Sequence, residues 1–177
     1  SASAAAGLVV CCAEMLHLLC SKSSYENEIQ SYVKDKMVFA TTLTLLIQRD
    51  LVQLQLYVTK CVASLASDKE RRSFVVLGGG KKLIQILRKE LLRTHGTQLC
   101  ENSINALFNL SVCKSNRSHL CRIGLKTILR AARNRKLKKY ARQCAGQTLH
   151  NLRLHPRNLS AFYKVELQMK TDQAFGK

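Results

Sequence analysis

Three groups of side chains in this sequence fall at spacings that could do chemistry. Cys12, His17 and Cys20, and again Cys113, His119 and Cys121, bring sulfur and imidazole ligands within reach of one metal ion, but neither set has the paired spacing of a structural zinc site. Leu77-Gly-Gly-Gly-Lys-Lys82 offers backbone N–H groups and lysines of the kind that cradle phosphates. It lacks the earlier glycine and the hydroxyl residue after lysine that complete a phosphate loop. Glu14 and His17 share one helical turn, whereas His119, His150 and His155 have no carboxylate close in sequence, so no nucleophile, base and orienting acid come together. Neither an enzyme nor a cofactor or metal site is expected.

The chemistry that remains is recognition by charge and by amides. Lys and Arg number 29 against 11 Asp and Glu, a net charge of +18. The excess is confined to one part of the chain: residues 1–50 hold four Lys/Arg and five Asp/Glu, residues 51–177 hold 25 and six. Such an imbalance sets up a long-range field that attracts acidic partners, and it exceeds the net charge of about 2 to 8 that solubility asks of a small domain. Its densest point is Arg133-Asn-Arg-Lys-Leu-Lys-Lys-Tyr-Ala-Arg142, six basic residues in ten. Read as a helix, this stretch turns Leu137, Ala141, Cys144 and Leu152 to a core and Arg135, Lys138, Lys139 and Arg142 outward.

These side chains need elements to hold them, and the composition favours helices. Apolar residues make up 46% of the 177, with one proline and eight glycines, which suits neither disorder nor a turn-rich β fold. Glu14, His17 and Lys22 break the longest apolar runs short of the roughly 18 to 20 residues a membrane span requires, so no membrane segment is expected. Ala4 to Ala13 has no basic region before it and reads as a structural helix rather than a leader. The eight cysteines, at 11, 12, 20, 61, 100, 113, 121 and 144, fall mostly on apolar helix positions without a CxxC pair. That pattern fits reduced core cysteines in the cytoplasm or nucleus. The glycosylation sequons at Asn109, Asn116 and Asn158 are discounted because the internal repeat places Asn109 inside a packed helix.

The sequence also repeats. Leu65-Ala-Ser-Asp-Lys-Glu-Arg-Arg-Ser73 returns 45 residues later as Leu110-Ser-Val-Cys-Lys-Ser-Asn-Arg-Ser118, with Gly79 matched to Gly124. A third copy follows at an offset of 42, where Leu107-Phe-Asn-Leu pairs with Leu149-His-Asn-Leu and Asn116 with Asn158. Each period divides into a short helix, a glycine turn, a second helix and a longer third helix. In the best-formed unit these are Lys69 to Leu77, Gly78-Gly79-Gly80, Lys81 to Leu92 and Thr97 to Val112. Leu83, Ile84, Ile86 and Leu87 form one apolar stripe and Leu99, Ile104, Ala106, Leu107 and Leu110 another. A unit of this size cannot bury both faces alone, so neighbours must stack.

Asn105-Ala-Leu-Phe-Asn-Leu-Ser, then Asn116-Arg-Ser, then Gly124 before Ile128-Leu129, resembles the armadillo repeat, with residues 50 to 170 fitting well and 1 to 49 loosely. Lys81 and Lys126 stand where that family usually has proline, Trp is absent, and HEAT-type repeats have similar periods. The resemblance implies an all-α, right-handed solenoid of about four stacked three-helix repeats, at 1–22 (partial), 23–67, 68–113, 114–153 and 154–177 (partial). It begins and ends within a repeat, so further repeats or assembly subunits are expected at both ends. In similar solenoids the third helices line a concave groove whose Asn residues hold an extended partner. Asn109 and Asn151 match that Asn, Ser64 and Leu18 stand in its place elsewhere, and Lys60, Asn105 and Gln147 lie one turn earlier. Lys136 and Lys139 continue this row, while Lys82, Arg88, Lys126, Arg130 and Arg133 lie beside it. The expected function is a scaffold or adaptor that holds an acidic protein segment or surface. Nucleic acid bound through phosphates by the basic faces is the alternative, although few aromatics, 6%, are present to stack bases.

Overall fold

The computed structural model describes residues 36–65, 68–93 and 97–174, together with Gly7. The expected first third-helix at Ser1–Cys20, with the Cys12, His17 and Cys20 set, lies outside the described residues apart from Gly7. What is described is all α, with no strand among the described residues. Eight helices follow in order: α1 (Lys36–Ile47), α2 (Val52–Ala63), α3 (Asp68–Val76), α4 (Gly79–Glu90), α5 (Gln98–Val112), α6 (Arg117–Arg133), α7 (Lys139–Arg153) and α8 (Leu159–Ala174). Short 3-10 turns, Lys114–Asn116 and Pro156–Asn158, lead into α6 and α8.

Local sequence accounts for the ends of these helices. Thr97 caps α5 by accepting the Cys100 N–H at 3.1 Å, and its β conformation starts the helix cleanly. Asp68 and Glu70 sit in the first turn of α3, while Arg88 and Lys89 close α4 and Arg130 and Arg133 close α6, each sign matching the helix dipole. Between α3 and α4 the chain turns at Gly78, whose φ of 101° lies in the left-handed region that glycine enters without a Cβ penalty.

The unit expected to break at Gly124 does not. Helix α6 runs unbroken from Arg117 to Arg133, because Ile123 occupies the place that Gly78 has 45 residues earlier. Arg133–Arg142 is likewise not one helix. α6 ends at Arg133, the chain turns through Asn134 to Lys138, and α7 begins at Lys139. Asn134 directs that turn, since its Oδ1 accepts the Lys136 N–H at 3.0 Å, a local alternative to continuing the helix.

Apolar residues at helical spacing fuse the helices into one core running from Ala40 to Phe162. α2 packs on α5 and α5 on α7; α1 packs on α4 and α4 on α6. α3 lies against α1 and α4, and α8 against α6. Phe74, Leu83, Leu87, Ile104, Leu107, Leu110 and Ile128 are among the side chains wholly removed from solvent. Deleting any of these would cost about 2 to 5 kcal/mol through lost transfer energy and the cavity left behind.

Candidate docking surface

Successive packing of α2, α5 and α7 brings the residues of the expected groove onto neighbouring helices. Lys60 and Ser64 lie at the end of α2, Asn105 and Asn109 on α5, and Gln147 and Asn151 on α7. Lys60 is half-buried, with Nζ 5.5 Å from the centroid of the Tyr57 ring, and the Ser64 hydroxyl donates to the Lys60 carbonyl at 3.3 Å. Gln147 is exposed, and Asn105 is half-buried.

Both donors of the Asn109 amide are taken up inside the chain. Nδ2 donates to the carbonyls of Val62 at 2.9 Å and Leu65 at 3.1 Å, at the end of α2, and Oδ1 accepts from Arg71 Nε at 3.1 Å. Asn109 therefore ties α5 to the end of α2 and to α3. Asn151 Nδ2 donates to Ser111 Oγ at 3.0 Å, bridging α7 to α5.

A second pair of asparagines does related work. Asn116 and Asn158, matched at the 42-residue offset, are both buried and both donate to the carbonyl six residues back, Leu110 at 3.1 Å and Leu152 at 2.8 Å. Asn158 also reaches the Arg117 carbonyl at 3.2 Å. Each reinforces the end of the helix before it, α5 or α7, and Arg117 adds bonds of 3.1 Å to the Ser111 and Val112 carbonyls at the end of α5. Sequence matching had paired these asparagines without assigning them this role.

Charge sets the surface character. Lys82 is tied to Asp50 at 2.9 Å, and that bond holds the Asp50 carboxyl below its ordinary range. Arg71 pairs with Asp68 at 3.1 Å and Arg93 with Glu90 at 3.2 Å. Past Glu101 the acids stop: no Asp or Glu occurs before Glu166, while fourteen Lys and Arg do. Eleven of those fourteen are exposed, including Arg130, Arg133, Arg135, Lys136, Lys138 and Lys139, and Arg142 and Lys126 are half-buried. Lys138 reaches back to Glu101 at 3.0 Å. Arg88 is exposed on α4.

The chemical sets do not assemble. Cys113, His119 and Cys121 form no metal-binding group, and among the described residues no three His, Cys, Asp or Glu side chains gather to hold one. Cys113 instead lies 3.1 Å from the Ser115 hydroxyl. Cys100 is buried in the core between Glu90 and Glu101, and burial first, then those carboxylates, pushes its thiol up to about 12. It is a packing residue rather than a nucleophile. Gly78 makes the helix-to-helix turn, and Gly79 and Gly80 open α4, packed under Phe74 and Val75.

No protein-family model matches the chain, and no curated protein matches it. No described helix is long and apolar enough to cross a membrane.

Proposed function

We propose that this chain is an armadillo-like solenoid segment that acts as a non-enzymatic scaffold, holding an acidic protein partner on its basic surface. Two sets of observations support the solenoid. At the 42-residue offset α5 and α7 are both 15 residues long, and helices in corresponding places pack in sequence, α2 on α5 on α7 and α1 on α4 on α6. These fit repeats over 23–67, 68–113 and 114–153, each adding one layer to a continuous core.

The observation that carries the functional reading is the stretch between Glu101 and Glu166, in which fourteen Lys and Arg, eleven of them exposed, occur with no carboxylate between them in sequence. Exposed cations are usually interleaved with acids, which limits self-repulsion and non-specific attraction. A surface that forgoes them is stabilised when a partner supplies the negative charge, and its field speeds encounter with that partner. Because the Asn109 donors are already committed, the basic side chains of α6, α7 and the turn between them carry the recognition.

The test is a titration of the whole chain against a labelled glutamate-rich peptide and a labelled single-stranded RNA, each at low and physiological salt. The proposal expects the peptide to bind with affinity that falls on Arg135→Gln with Lys136→Gln and Lys139→Gln. Tighter binding to RNA, with the steep salt slope of counterion release, would overturn it in favour of a nucleic-acid role.

A further inference from the structure

The turn between α6 and α7 is held at three places. Asn134 Oδ1 accepts the Lys136 N–H at 3.0 Å and the Asn134 carbonyl accepts the Leu137 N–H at 3.1 Å, so the backbone closes on itself. The Leu137 side chain is buried in the core. Lys138 Nζ reaches across to Glu101 Oε2 on α5 at 3.0 Å. That ion pair is anchored at its acid end, since the Glu101 side chain is 10% exposed and the Lys138 side chain 72%. Withdrawing the ammonium would leave a buried carboxylate without its cation, a costly state that keeps Lys138 in place.

Among these fixed points stand Arg135, Lys136 and Lys139, all exposed, and none of their side chains has a hydrogen-bond or ion-pair partner among the described residues. Lys82, Arg71 and Arg93, by contrast, are each paired with a carboxylate. Arg135 and Lys139 are four residues apart, so their Cα atoms lie within about 15 Å of one another. Stacking of a neighbouring unit does not cover a turn at this place. In the corresponding turn between α4 and α5, which has packed helices on both sides, Leu92 and Arg93 are exposed, and so are residues 48–51 between α1 and α2.

We infer that Glu101, Asn134 and Lys138 are positioning residues that fix this turn so that Arg135, Lys136 and Lys139 meet a compact cluster of carboxylates within a few consecutive residues of the protein partner. Lysines and arginines on a loose backbone attract acids in any arrangement. A backbone held in advance lowers the ordering cost of binding, and it does so only for acids spaced to match. Three cations within one short turn match neighbouring acids, not acids spread along a chain. Glu101 therefore shapes the basic turn instead of neutralising it: it takes up Lys138 and leaves the three beside it unpaired. This inference rests on the acidic-partner reading above and adds the arrangement of acids that the surface selects.

The experiment titrates the whole chain, by fluorescence anisotropy, with two glycine–serine peptides of identical length, composition and charge. One carries four consecutive glutamates, the other the same four separated by Gly-Ser pairs. The parent chain should prefer the clustered peptide by about tenfold, the scale of ordering one or two long side chains in advance. Glu101→Gln raises the net charge by one and frees Lys138, so attraction by field alone would tighten both peptides. A fixed turn requires the opposite sign: weaker binding of the clustered peptide than in the parent, and loss of the preference. Asn134→Ala leaves the charge unchanged and should lose the preference too, whereas Lys138→Arg, which keeps a cation for Glu101, should retain it. Urea midpoints establish that each variant is folded where binding is read. Equal binding of the two peptides by the parent chain would overturn the fixed turn and leave the acidic-partner reading standing. A preference retained in Glu101→Gln would overturn the role of the ion pair, and one retained in Asn134→Ala the role of the asparagine. Failure of the parent chain to bind either peptide would overturn both readings.

Discussion

Two stretches 45 residues apart, Phe74–Gly80 and His119–Leu125, hold matched glycines and fold differently. In the first the chain breaks between α3 and α4; in the second α6 passes straight through Gly124. Yet the two glycines do the same work. Gly79 lies under the fully buried Phe74, whose Cε2 a Cβ would approach to 2.7 Å, and Gly124 lies under Ile84, whose Cγ1 a Cβ would approach to 3.0 Å. The shared requirement is close approach between neighbouring elements. The turn belongs to Gly78, the residue before, and Ile123 in its place lets the helix continue.

The sharpest way to break this comparison is to give both glycines a side chain. Gly79→Ala forces a methyl into an enclosed aromatic ring that cannot rotate away, and should lose about 2 to 3 kcal/mol in urea denaturation. Gly124→Ala meets the flexible end of Ile84 and recovers helix propensity, so its loss should be about 1 kcal/mol or less. Ile84→Val removes the methyl in the way, and combined with Gly124→Ala it should recover most of that loss in a double-mutant cycle. Equal costs for Gly79→Ala and Gly124→Ala, or additive behaviour with Ile84→Val, would show that close approach is not what the two positions share.

The second test separates turn from packing. Gly78→Ala places a Cβ at a φ of 101°, where L-residues pay about 1 to 2 kcal/mol, although its own Cβ would have only Gln48 at 4.0 Å. Asn at 78 tolerates that region better and should cost less. If Gly78→Ala unfolds at the same urea concentration as the parent chain, the break between α3 and α4 has another cause.

Much of the helical layout was legible because it depends on local pattern. Thr97 to Val112 was expected and Gln98–Val112 with a Thr97 cap is observed, while Lys69 to Leu77 became Asp68–Val76. Inward-facing Leu137, Ala141, Cys144 and Leu152 are all buried, although the helix drawn through Arg133–Arg142 is two helix ends and a turn. Whether α6 continued past Gly124 hung on one neighbouring residue, which an apolar stripe does not register. The Asn109 amide was harder still, since its acceptors lie 44 and 47 residues away and only packing of α5 on α2 brings them near.

The smallest effect follows from the residue that stands in the place of Phe74. His119 is half-buried on α6, and its Nδ1 accepts from an Arg122 Nη at 3.3 Å. Burial first, and the Arg122 charge second, hold its pKa below the ordinary 6.5. A base whose folded pKa is depressed binds its proton more readily when unfolded. Its contribution is therefore intact above the ordinary value and is lost as pH falls below it, levelling off once the folded histidine is also protonated. Urea midpoints for the parent chain should fall between pH 7.5 and 5.5, and the fall should shrink in His119→Gln, which cannot titrate there. The ring of Phe74 makes the matched position in the α3–α4 unit indifferent to pH, so Phe74→Leu should shift the midpoint equally at both values. An undiminished fall in His119→Gln would assign the sensitivity to another group and leave Arg122, in the place of Leu77, as the electrostatic difference between the two glycine-bearing stretches.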